Sequence, residues 1–104
     1  MRLQTMTKAQ QQLEQDISVN IGTDLFNALF CFDRTYKTRR GLYNKLSKLN
    51  RFAFQNYVVK VKNKVSLSYS IMEWGIRNGI KDETNACLKL RVHYNALCNY
   101  VSSL

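Results

Sequence analysis

Apolar residues along the chain recur mostly at helical intervals. In "KAQQQLEQDISV" Leu13 and Ile17 stand one turn apart among polar neighbours, and Thr7 precedes them as a helix cap, which predicts a surface helix or arm. Gly22 interrupts the pattern. Thr23 is then placed to cap "DLFNALFCFDR", with Asp24 in the first turn, where the helix dipole favours an anion. Leu25, Phe26, Leu29, Phe30 and Phe32 make that segment apolar on most sides, as befits a central core helix. After the loop "TYKTRRG", the segment "LYNKLSKLNRFAFQNY" carries Leu42, Leu46, Leu49 and Ala53 as a helical stripe. Lys45, Lys48, Arg51 and Gln55 fall on another side of the same predicted helix. Gly79 suits a helix end and Asp82 a cap for the last helix, in which Cys87, Leu90, Tyr94, Leu97 and Val101 form the clearest amphipathic pattern in the chain.

The stretch "VVKVKNKVSLSYSI" (residues 58–71) alternates instead: from Val59 to Ile71 every odd position except Asn63 is apolar, and every even one is Lys or Ser. Two structures fit it. A hairpin about Lys62-Asn63-Lys64 pairs Val61 with Val65, Val59 with Leu67 and Tyr57 with Tyr69 on one face. Alternatively, Tyr57–Lys62 is extended and Asn63 caps a helix from Lys64 to Asn78. In both, Lys60, Lys62 and Lys64 project together near a turn.

Composition narrows the class. The chain has no proline and four glycines, which removes the usual punctuation of sandwiches and barrels. The expected fold is mainly α: one domain over residues 1–104, a compact bundle of four or five helices, with either a short β-hairpin or a strand near residues 57–70. No apolar run approaches the roughly 18 residues that cross a bilayer. The Gln-rich start does not resemble a signal peptide, so a cytoplasmic protein that does not engage membranes is expected. Three cysteines on such a chain read as reduced thiols.

Charge changes the picture most. Of 16 Lys and Arg residues, ten lie between Arg34 and Lys64, where no acidic residue occurs, and the other six face seven Asp and Glu elsewhere. The net charge of +9 thus resides in the central third. Solvated faces normally mix signs, so a one-signed segment points to a polyanionic partner. Tyr36, Tyr43, Phe52, Phe54 and Tyr57 interleave the same segment, and cations with aromatic rings are the combination single-stranded nucleic acid exploits. The candidate nucleic-acid-binding residues are Arg39, Arg40, Lys45, Lys48, Arg51, Lys60, Lys62 and Lys64 for phosphates, with Tyr43 for stacking. Phe52, Phe54 and Tyr57 are expected in the core. The function expected is that of a small, non-enzymatic accessory or regulatory protein binding DNA or RNA. The competing class is an inhibitor that docks its basic face on an acidic patch of a partner protein.

Two stretches resemble known DNA-binding modules. "MEWGIRNGIKDETNACL" resembles a helix-turn-helix, with Gly75 and Gly79 at the motif's spacing and Trp74, Ile80 and Leu88 at apolar positions, although Asn78 and Asn85 depart from it. "YVVKVK" followed by two helices looks like a ribbon-helix-helix, a dimeric module that places a two-stranded ribbon in the major groove, which leaves a homodimer open. Neither assigns a family. No metal or cofactor is expected: Cys87 and Cys98 lie about three turns apart, and no C-x-x-C or H-x-x-x-H spacing occurs. No catalytic residue is assigned. A metal-independent ribonuclease using His93, Tyr94 and arginines is the least favoured alternative.

Overall fold

Thr7 opens the first helix with a reciprocal cap: its hydroxyl accepts from the Gln10 N–H at 3.1 Å, and the Gln10 side chain accepts from the Thr7 N–H at 2.9 Å. In the computed structural model, which describes residues 7–65 and 83–104, this begins α1 (Lys8–Asn20). Leu13 and Ile17 are buried in the core, so α1 is a packed member of the bundle and not an arm. The chain reverses at Gly22, whose φ of +104° lies where side chains are disfavoured. Gly22 therefore takes the cap position of α2 (Thr23–Phe32), and Thr23, expected as the cap, is the first helical residue.

Thr38 caps α3 (Arg39–Ser47), its hydroxyl accepting from the Gly41 N–H at 3.0 Å. A Cβ at position 41 would come within 3.1 Å of that hydroxyl, so glycine keeps the cap close. The single helix expected across residues 42–57 is two, because Asn50 intervenes. Its side-chain oxygen accepts from the Ala53 N–H at 2.8 Å and starts α4 (Arg51–Lys64). The last helix is α5 (Glu83–Ser102).

Residues 57–64 are helical, which corrects both the hairpin and the extended strand expected there. Val58 and Val61 are buried, and Phe54, Tyr57 and Val65 pack beside them, all at steps of three or four. A β-branched run thus follows the helical period because packing outweighs its local strand preference. The same finding removes the strand on which the ribbon-helix-helix resemblance rested. Residues 66–70, most of the helix-turn-helix resemblance and the Asp82 cap lie outside the described residues.

Among the described residues five helices form a compact bundle, and no strand occurs. Central α2 packs on α1, α4 and most extensively α5, and α4 also packs on α5. Phe26, Ala28 and Leu29 of α2 are fully buried, together with Ile17, Leu42, Val58 and Leu97 from the other four helices. Phe54 of α4 meets Tyr100 of α5 edge-on, with ring centroids 5.7 Å apart. As expected for the last helix, Leu90 and Leu97 are buried, while Cys87, Tyr94 and Val101 are half-buried.

Candidate nucleic-acid interface

The basic residues divide by what else they do. Arg39, at the start of α3, is occupied inside the protein. Its Nε and one terminal nitrogen donate to the two Glu14 oxygens of α1, each at 2.8 Å, and the other terminal nitrogen donates to Asn27 of α2 at 2.8 Å. The guanidinium also lies over the Phe26 ring, 5.0 Å from its centroid. Arg39 therefore joins three helices, although the sequence pattern groups it with the phosphate contacts. Arg40 is exposed and reaches the Ala9 carbonyl at a long 3.4 Å.

Among the rest, position on the helix separates those that the dipole accounts for. Lys45 and Lys48 stand at the C-terminal end of α3, and Lys62 and Lys64 in the last turn of α4, where cations are ordinarily stabilised. Arg51 is the first residue of α4, where a cation is disfavoured, and no acid occupies that turn. Lys60 and Lys64 lie one turn apart on α4, a like-charged pair that costs a helix about 0.2–0.5 kcal/mol. Lys45, Lys48, Arg51, Lys60 and Lys64 are exposed and show no ion pair among the described residues.

The expected grouping of Lys60, Lys62 and Lys64 does not hold. Residues two apart on a helix point about 160° from one another. Lys62 accordingly sits half-buried on the Arg51 flank, and Lys60 with Lys64 on the other.

The outer face of α4 holds a feature missed in the pattern of the sequence. Phe52 is 71% exposed, and it begins a stripe continued by Asn56, Lys60 and Asn63, all exposed. These positions recur at four, four and three, the spacing of one helix face. Tyr43, expected as the exposed stacking ring, is instead half-buried, with its hydroxyl accepting from the Asn20 amide at 2.9 Å. The exposed aromatic of the basic segment is thus Phe52, a residue expected in the core. The signal that finds it is the helix phase counted from the Asn50 cap.

Beside the N-terminal end of α4 lies a cleft of about 350 Å³. Asn20 and Ile21 line it from the end of α1, Tyr43, Leu46 and Ser47 from α3, and Leu49 to Arg51 and Phe54 from the α3–α4 corner. Arg51, which lines the cleft, and Phe52, which begins the exposed stripe, both stand in the first turn of α4.

Other ionisable groups have structural explanations. Burial and the Asp33 carboxylate, which accepts from the Tyr57 hydroxyl, push the Tyr57 phenol well above its ordinary range. Burial lowers the His93 pKa, against the opposing pull of Asp24 and with the help of Lys89. A histidine held neutral by the fold costs stability once the unfolded chain can take up its proton. Stability is therefore expected to be level in this respect above about pH 6.5 and to fall as pH drops through the lower folded value. Melting temperatures between pH 5 and 7.5 check this, and His93→Gln should flatten the dependence; a wild-type melting temperature that rises on acidification would contradict it. None of the three cysteines forms a disulfide, and no metal-ligating cluster of three or more groups occurs among the described residues. No helix among the described residues is long and apolar enough to cross a membrane.

Comparison of the chain with protein-family models, curated proteins and solved structures gave no match.

Proposed function

We propose that the protein binds nucleic acid through the outer face of α4 and the adjoining α3–α4 corner, in an accessory or regulatory role without catalysis of its own. The observation that carries this reading is the stripe of Phe52, Asn56, Lys60 and Asn63 on a segment with no acidic residue from position 34 to 64. A large aromatic left in water and two lysines one turn apart contribute nothing to the core. They suit a ligand that offers phosphates beside flat apolar surfaces. Lys60 and Lys64 neutralise phosphates along the helix, Lys45, Lys48 and Arg51 extend the field around its N-terminal end, and Phe52 packs on a base or sugar.

Fluorescence anisotropy of random-sequence single-stranded RNA, single-stranded DNA and duplex DNA over a salt series tests the reading. Binding should weaken steeply with salt, with log K falling by about 0.9 per phosphate contacted on a duplex and about 0.7 on a single strand. Phe52→Ala should reduce affinity for the preferred substrate about fivefold or more, the scale of one lost stacking contact. Because the ring is exposed, the melting transition should move by no more than about 0.5 kcal/mol in stability. No binding to any of the three at low salt would overturn the proposal and favour docking on an acidic protein.

A further inference from the structure

Resting on the reading just given, we infer that the cleft beside α4 seats one unpaired nucleotide, its base inside and its phosphate on Arg51, so that the protein favours single strands. At about 350 Å³ the cleft is in the size range of small-molecule sites, about 300–1,000 Å³. Two half-buried aromatic residues, Tyr43 and Phe54, contribute to its lining, and an exposed arginine stands at its edge.

The polar groups decide the class of ligand. Asn20 donates its amide to the Tyr43 hydroxyl, which leaves the Asn20 carbonyl as an acceptor and the hydroxyl proton as a donor. Asn50 spends its carbonyl on the Ala53 N–H, which leaves its amide as a donor. A site built for a bare anion would offer donors alone. This one offers donors and an acceptor around apolar walls, which matches the mixed edge and flat faces of a nucleobase. Arg51 supplies the single cation that one phosphate requires. Its place next to Phe52 lets a strand that follows the outer face of α4 turn into the cleft at the helix start.

The experiment compares two single strands of equal length and phosphate count, one intact oligothymidylate and one abasic throughout, on the full chain at fixed salt. Wild-type protein should bind the intact strand at least about fivefold more tightly, the contribution of base contacts. Ser47→Trp places bulk in the cleft from an exposed position whose hydroxyl bonds only the Asn44 carbonyl of its own helix. It should weaken the intact strand alone and lower the ratio to whatever Phe52 on the outer face sustains by itself. Arg51→Gln adds no bulk, and it should also weaken the intact strand more than the abasic one. Circular dichroism confirms that each variant is folded, and the wild-type ratio and the Arg51→Gln result decide the matter if Ser47→Trp does not fold. A preference for the intact strand that neither substitution reduces would overturn the inference while leaving nucleic-acid binding in place. Equal binding of the two strands by wild type would do the same. Absence of binding to both would remove the inference together with the reading on which it rests.

Discussion

Arg39→Ala is expected to lower the unfolding free energy by about 2–3 kcal/mol, the range for hydrogen bonds to charged groups when several are lost together. For a domain of this size that is a fall in melting temperature of roughly 10–20 °C. An exposed ion pair would contribute at most about 1 kcal/mol. Arg39 differs because its pairing is two-pronged, is supplemented by Asn27 and lies over the Phe26 ring. The alanine variant also leaves Glu14 and Asn27, on separate helices, without their common partner. Arg39→Lys should recover little, since an ammonium cannot meet two carboxylate oxygens and a side-chain amide in one plane. Nucleic-acid affinity of the folded variant should stay within about twofold of wild type, once the small general effect of one charge is allowed for. A stable Arg39→Ala protein with sharply reduced affinity would show that the arginine serves the ligand and not the bundle.

The opposite profile is expected of the exposed cations. Replacing Lys48, Arg51, Lys60 and Lys64 together by glutamine should leave the melting temperature little changed, because relief of the like-charged pair at 60 and 64 and of the cation at the head of α4 offsets the loss of the favourable cations at the ends of α3 and α4. Affinity should fall by roughly three orders of magnitude near 0.1 M salt, and the salt slope by about 3–4, if each side chain neutralises one phosphate on duplex. Titration over at least three salt concentrations separates this from a loss of fold, which would remove binding at every salt alike. An unchanged slope would place the contacts elsewhere.

The bundle was legible where local chemistry and packing agree. Thr7 does cap α1, Asp24 does lie in the first turn of α2, and Leu90 and Leu97 do turn inward from α5. Between residues 57 and 64 the period-two alternation of valine and lysine hid the helical set Phe54, Tyr57, Val58 and Val61, because over so few residues both periods fit. That one choice of period carried the site with it. A strand groups Lys60, Lys62 and Lys64, whereas a helix parts them and brings Phe52 into line with Asn56, Lys60 and Asn63. The Asn50 cap within "KLNRFAF" was the local signal for the correct phase. Nothing local could reveal the occupation of Arg39, since Glu14 lies 25 residues away in sequence and meets it only through the packing of α1 on the start of α3.

Helix α4 is shared between two tasks. Its inner side holds Val58 and Val61 in the core and sets Phe54 against Tyr100, while its outer side carries the proposed contacts. A helix used on both sides cannot loosen from α5 without taking the ligand's footing with it. Occupancy and folding are then linked by mass action, with a ligand at a hundred times its Kd adding about 2.7 kcal/mol to the free energy of unfolding. Amide protons on α4 and on the facing part of α5 would slow their exchange together when the site fills. Loosening of the α4–α5 contact at Tyr100, remote from the outer face, would weaken ligand without removing any group that touches it.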